Sequence, residues 1–117
     1  MKTVLIADDD VLTTTVITQA LEPRDYHILL ARDGKECVEK ALKENPDIII
    51  LDVVMPVMDG IAALDEIRKS SDVPVVIMSA FGNSDKVEEA RERGIECFLN
   101  KPFDPAVLVE LFDVIFL

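Results

Sequence analysis

The sequence predicts an α/β protein in which five strands and five helices alternate as (βα)5 around a doubly wound parallel sheet. Three observations predict it. Five apolar, β-branched runs recur along the 117 residues at intervals of roughly 20 to 27. Segments with helical spacing lie between them, so each crossover is a helix and the strands run parallel. The third and fourth runs are apolar without interruption, as strands covered on both faces are. Right-handed crossovers then leave few topologies, and the length reads as one domain over 1–117.

Each element has its own signature. TVLIA at 3–7 is followed by a helix over 11–21, with Leu12, Val16 and Ala20 on one face. YHILLA at 26–31 leads to a helix over 34–44, whose apolar face is Cys37, Val38, Ala41 and Leu42. Glu36–Lys40 and Glu39–Lys43 supply outward pairs there at i,i+4. DIIIL at 47–51 precedes a helix over 59–69 marked by Ile61, Leu64 and Ile67. VPVVIMS at 73–79 precedes one over 84–93 marked by Val87 and Ala90, with Asn83 or Ser84 as cap and Gly94 as terminator. ECFLN at 96–100 is the fifth strand. The last helix, PAVLVELFDVIFL at 105–117, is apolar nearly all round, with only Glu110 and Asp113 charged. Such a helix buries more than one face. The sheet takes one; the other either meets a partner or marks a chain cut from something longer.

Charge and hydropathy exclude several roles. Net charge is −11, from 23 acidic and 12 basic residues, whereas gripping nucleic acid rests on Lys and Arg neutralising phosphates. An anionic membrane surface is excluded on the same ground. No apolar stretch approaches the roughly 18 to 20 residues that span a bilayer. MKTVLIADDD is too short in its hydrophobic part for a signal peptide, so a cytoplasmic location is expected. Cys37 and Cys97 match no CxxC or zinc spacing and read as small buried hydrophobes. Most of the acid excess reads as solvated surface.

The polar residues gather at one end of the strands. Asp8, Asp9 and Asp10 follow the first run, Asp52 the third, Ser79 closes the fourth, and Asn100-Lys101-Pro102 follows the fifth. In an open parallel sheet these ends share one edge, where ligands bind. Acids from two strand ends make a hard oxygen site suited to Mg²⁺. At ~4–5 Å and an effective dielectric near 20, each carboxylate pair costs roughly 3–4 kcal/mol in repulsion. A divalent cation removes that cost and orients a phosphoryl oxygen, while a lysine and a small hydroxyl suit the remaining oxygens. Taken singly, Asp8, Asp9 and Asp52 read as capping or turn residues, Ser79 as a small filler and Lys101 as surface. Their joint placement points to function.

LIADDD at 5–10, IIILDVVMPVMDG at 48–60, VVIMSAFG at 75–82 and FLNKPFD at 98–104 carry a resemblance over essentially the whole chain. In that order and spacing, the sequence resembles the receiver domain of two-component response regulators. The resemblance implies a flavodoxin-like sheet with strand order 2-1-3-4-5. It implies that Asp52 accepts a phosphoryl group from a phosphohistidine on a histidine kinase or histidine phosphotransfer protein. Asp9 and Asp52 would hold Mg²⁺ with help from the Val54 carbonyl, and Asp8 would act largely through water. Ser79 and Lys101 would contact phosphoryl oxygens, and the Lys101–Pro102 bond would be cis. Phe98 sits where the family carries a Tyr or Phe that turns inward on activation, once Ser79 is drawn toward the phosphoryl group. The surface of the fourth helix, fifth strand and fifth helix would then change shape and is a candidate homodimer face. Asp10 lies outside the matching acid pair and reads as surface charge. Val54 and Phe81, each two residues past a site residue, are apolar and cannot orient an attacking water, which implies slow dephosphorylation.

Two other functions compete. DDDVL at 8–12 nearly fits the DxDx(T/V) signature of haloacid dehalogenase-like phosphatases, although Leu12 replaces its last residue and the chain is short for that fold. A receiver-like docking module independent of phosphorylation is the other, against which the complete set of acids, hydroxyl and lysine argues. The preferred reading is a switch without turnover on small metabolites. His27, Met55, Met58 and Met78 read as structural, and KVEEARERG at 86–94 as a solvated face that borders the output surface.

Overall fold

The computed structural model describes residues 1–80 and 84–116. Its strands are β1 (Thr3–Ala7), β2 (His27–Ala31), β3 (Ile48–Asp52), β4 (Val75–Ala80) and β5 (Cys97–Lys101). Its helices are α1 (Val11–Leu21), α2 (Gly34–Glu44), α3 (Gly60–Arg68), α4 (Ser84–Glu92) and α5 (Pro105–Ile115), with a short 3-10 turn over Glu22–Arg24. The strands pair in parallel in the order β2-β1-β3-β4-β5, as the resemblance implied. No described helix is long and apolar enough to cross a membrane.

Two apolar layers hold the sheet between the helices. One contains Leu5, Ile49, Leu51 and Ile77 against Cys37, Ala41, Leu64, Ile67 and Ala90 of α2, α3 and α4. The other contains Val4, Ile6, Ile50 and Met78 against Ile17, Leu21, Leu108 and Phe112 of α1 and α5. β3 is buried along its whole length, which is why its sequence does not alternate.

α1 departs from its expected face. Thr14, Ile17 and Leu21 are the residues it buries, while Leu12 is 71% and Val16 37% exposed. Thr14 is tolerated inside because its hydroxyl donates to the Val11 carbonyl of its own helix. The Glu36–Lys40 pair forms at 3.0 Å. Among the described residues, α5 buries only Leu108 and Phe112 and leaves Val107 and Val114 exposed, so its second face has no cover there. Cys37 is buried and Cys97 only half-buried; desolvation pushes the Cys37 thiol up to about 12, so it is inert at neutral pH. His27 lies exposed at the start of β2, far from the strand ends that carry the site.

Four of the 23 acids have local work to do. Asp10, Asp33, Asp59 and Asp104 cap α1, α2, α3 and α5, each accepting a backbone N–H of the first turn. Asp10 is thus a helix cap rather than plain surface charge. It also accepts the Thr13 hydroxyl at 2.7 Å; that bond, with the one from Leu12, holds its carboxyl below the ordinary range. Asn83, one of the two expected caps of α4, lies outside the described residues, as does Phe81.

Candidate functional site

The carboxyl ends of β1, β3, β4 and β5 meet at one rim. Strand pairing sets the order: Ala7 lies beside Leu51, Asp52 beside Met78, and Ala80 beside Lys101. β3, β4 and β5 each run one residue further than the hydrophobic runs suggest, so Asp52 and Lys101 are the last residues of their strands. Ladder hydrogen bonds therefore fix the backbone of both groups.

Lys101 is the centre of the arrangement. Its ammonium donates to Asp8 Oδ2 at 2.5 Å and to Asp52 Oδ2 at 2.9 Å. The other oxygen of Asp8 accepts the Asp10 N–H at 2.9 Å. Asp8 and Asp52 are buried, at 2% and 6% exposure, whereas Asp9 faces solvent. One carboxylate oxygen from each of Asp8, Asp9 and Asp52 lies within 4.8 Å of the others. Octahedral Mg²⁺ holds oxygens at about 2.0–2.1 Å, so its ligands stand at most roughly 4.2 Å apart. The three acids approach that spacing, and the exposed Asp9 is free to close the remainder. A set of hard oxygens without nitrogen or sulfur suits a hard divalent cation.

Electrostatics follow from that crowding. Burial pushes the Asp52 carboxyl up to about 6; the Lys101 hydrogen bond pulls it down and the Asp8 charge pushes it further up. Burial depresses the Lys101 ammonium, but its bonds to Asp8 and Asp52 outweigh this, and the net shift is upward. Lys101 therefore stays charged while sharing two acids.

The remaining candidates are placed around this pair. Ser79 is 1% exposed one residue beyond Met78, and its hydroxyl donates to the Ala80 carbonyl at 3.2 Å. It lies near the end of β4, beside Asn100 of β5. Val54 is 62% exposed, and its N–H reaches Asp52 Oδ1 at 3.4 Å. Phe98 is half-buried against the layer of Ile77 and Ala90. The Lys101–Pro102 bond is cis.

Two glycines and one valine at the site escaped the sequence reading. A Cβ on Gly60 would stand 2.2 Å from the Asp52 carbonyl, and one on Gly34 2.0 Å from the Met58 carbonyl. The segment 53–59 is thus pressed against α2 and the end of β3 by residues without side chains. The signal was available as the Asp-Gly pairs at 33–34 and 59–60, each a cap followed by a close approach. Val57 adopts φ 69°, which no residue pattern announces.

Comparison with known proteins bears on the family and the fold. The family model of the response regulator receiver domain matches residues 4–113. The Mycobacterium tuberculosis transcriptional regulatory protein PdtaR is 39% identical over 112 residues, covering 95% of this chain and 55% of that protein. The probable transcriptional regulator ycf27 of Guillardia theta is 36% identical over 105 residues, covering 90% of this chain and 41% of that protein. The chain thus spans about half the length of these relatives. Among solved structures, the Vibrio cholerae chemotaxis protein CheY4 superposes with a TM-score of 0.87 at 31% identity, covering 97% of this chain and 98% of that one. NtrX from Brucella abortus gives a TM-score of 0.87 at 28% identity, covering 97% of this chain and 26% of that one. Fold, strand order, acidic cluster and sequence relationship converge, and this chain belongs to the response regulator receiver domain family.

Proposed function

We propose that Asp52 accepts a phosphoryl group from a phosphohistidine on a histidine kinase or phosphotransfer protein, in a Mg²⁺-dependent reaction. The bridging of Asp8 and Asp52 by Lys101 carries this reading, because it sets an ammonium beside the nucleophile on a rim that also holds two more acids. A carboxylate oxygen of Asp52 attacks phosphorus as the phosphorus–nitrogen bond to the donor breaks, and the departing imidazole keeps the electron pair and takes up a proton. Mg²⁺, held by Asp9, Asp52 and the Val54 carbonyl with Asp8 acting through water, would offset charge on the transferring oxygens. Lys101 pairs with one of those oxygens, and Ser79 turns from the Ala80 carbonyl to donate to another. The movement of Ser79 opens room for Phe98, and the surface of α4, β5 and α5 responds as a shift between two populations. A homodimer through that surface belongs to the same reading, and the net charge of −11 speaks against direct nucleic-acid contact by this domain.

Against the dehalogenase-like alternative, whose nucleophile would be Asp8, Leu12 stands where that signature has Thr or Val. The domain assists its own phosphorylation and dephosphorylation without turning over small metabolites. Incubation with Mg²⁺ and acetyl phosphate or phosphoramidate, followed by intact mass, tests the reading. One phosphoryl is gained, and Asp52→Ala gains none. Uptake that survives this substitution, or phosphatase turnover lost in Asp8→Asn but kept in Asp52→Asn, overturns it.

A further inference from the structure

Phe98 does not stand alone on the face of β5. The Arg91 guanidinium, from α4, lies over its ring at 5.1 Å from the centroid. The C-terminal end of the helix that delivers it is tied to α3. Val87 and Ala90 bury its inner face. Arg68 at the end of α3 donates to the carbonyls of Arg93 and Gly94, at 3.1 and 2.8 Å. Arg93 in turn pairs with Asp65 of α3. Arg91 itself is half-exposed, and its other partner is a long contact of 3.7 Å with Glu88.

Phe98 pairs with Ile77 in the β4–β5 ladder, so Ser79 lies two residues further along the same sheet face. A ring that swings inward behind Ser79 must leave the guanidinium. The stack is therefore made in one state and lost in the other, and a contact of that kind biases an equilibrium. Resting on the proposed switch at Asp52, we propose that Arg91 is a positioning residue that holds Phe98 outward and so opposes the phosphorylated-like state. A cation–π contact at a partly exposed site changes such an equilibrium by roughly two- to fivefold.

Beryllofluoride with saturating Mg²⁺ serves as the phosphoryl mimic, its affinity being read by calorimetry on the intact chain. Arg91→Met keeps an apolar stem and removes the cation; its affinity rises about two- to fivefold over the parent. Arg91→Lys restores a cation and falls between the two. Glu88→Gln, which breaks only the neighbouring ion pair, leaves the affinity where it was. In a Phe98→Leu background, Arg91→Met has no further effect. An unchanged or weaker affinity in Arg91→Met overturns the proposal, and so does the same gain with or without the ring. Asp52→Asn, assayed for phosphoryl uptake by intact mass, tests the underlying switch separately: uptake in that variant overturns the acceptor assignment, whatever Arg91 does.

Discussion

Lys101 Nζ stands 2.9 Å from Asp52 Oδ2 across 49 residues of sequence, and no helix or turn brings them together. The sheet does. β4 separates their strands, and the parallel register carries both side chains to one rim. Without that ammonium, two acids would sit buried with no cation. Lys101→Met therefore lowers stability in metal-free buffer by about 1–3 kcal/mol, and added Mg²⁺ recovers part of the loss. Urea denaturation with and without Mg²⁺ measures both; a variant as stable as the parent in chelator contradicts the bridging role.

Asp52 makes a pH prediction of opposite sense to the usual carboxylate. Its folded-state value of about 6 lies above the ordinary 3.8, so the folded protein binds the proton more tightly than the unfolded chain. The contribution of this group is present in full below about pH 4 and is lost as pH rises through 6. Asp52→Asn, which is neutral throughout, is accordingly more stable than the parent at pH 7.5, by on the order of 1–3 kcal/mol. Its advantage shrinks toward pH 4. Denaturation curves of both proteins at the two pH values test the sign, and a variant less stable at pH 7.5 defeats it.

Much of this was legible in the residues, and the limits are physical. Continuous β-branched runs gave the strands and their burial, and polar residues at their ends gave the rim. Strand limits were less legible: hydrophobicity cannot show that hydrogen bonding runs on through Asp52 and Lys101. The buried face of α1 was misjudged because its spacing offers two stripes. Packing against the sheet, with the Thr14 hydroxyl satisfied inside its own helix, chose Ile17 and Leu21 over Leu12 and Val16. Asp10 read as surface charge because a cap is defined by backbone geometry, which the residue pattern does not show.

Val57 is held at φ 69° and is 77% exposed. A β-branched residue in the left-handed region costs on the order of 1–3 kcal/mol, and here little packing compensates. Val57→Asn, whose side chain tolerates that region, raises stability by about 1 kcal/mol. Val57→Thr, still branched, gives no gain. Equal melting midpoints for the Asn and Thr variants rule out backbone strain as the cause.

Asp9 separates metal binding from folding. It is the exposed member of the acid triad, so Asp9→Asn folds as the parent does. Mg²⁺ raises the melting midpoint of the parent by mass action and raises that of Asp9→Asn far less. Equal Mg²⁺-dependent shifts in the two proteins place the cation elsewhere.

The phosphorylated form is expected to be long-lived, and Val54 is the observed part of the reason. Hydrolysis of an acyl phosphate on Asp52 needs a water aligned opposite the departing carboxylate, and a polar side chain beside the phosphoryl group is what would hold it. Val54 follows Asp52 by two residues, is 62% exposed and offers only methyl groups. Phe81, the second apolar position, lies outside the described residues. Val54→Asn introduces a hydrogen-bonding group on the rim, and with Phe81→Glu it places a second one two residues past Ser79. Decay of the phosphoryl mass after removal of phosphoramidate is faster in the double variant, by roughly tenfold or more given the 10²–10⁴-fold range of positioned acid–base groups. Val54→Asn alone falls between. A parent that decays as fast as the double variant shows that these two side chains do not govern access of water to the bond.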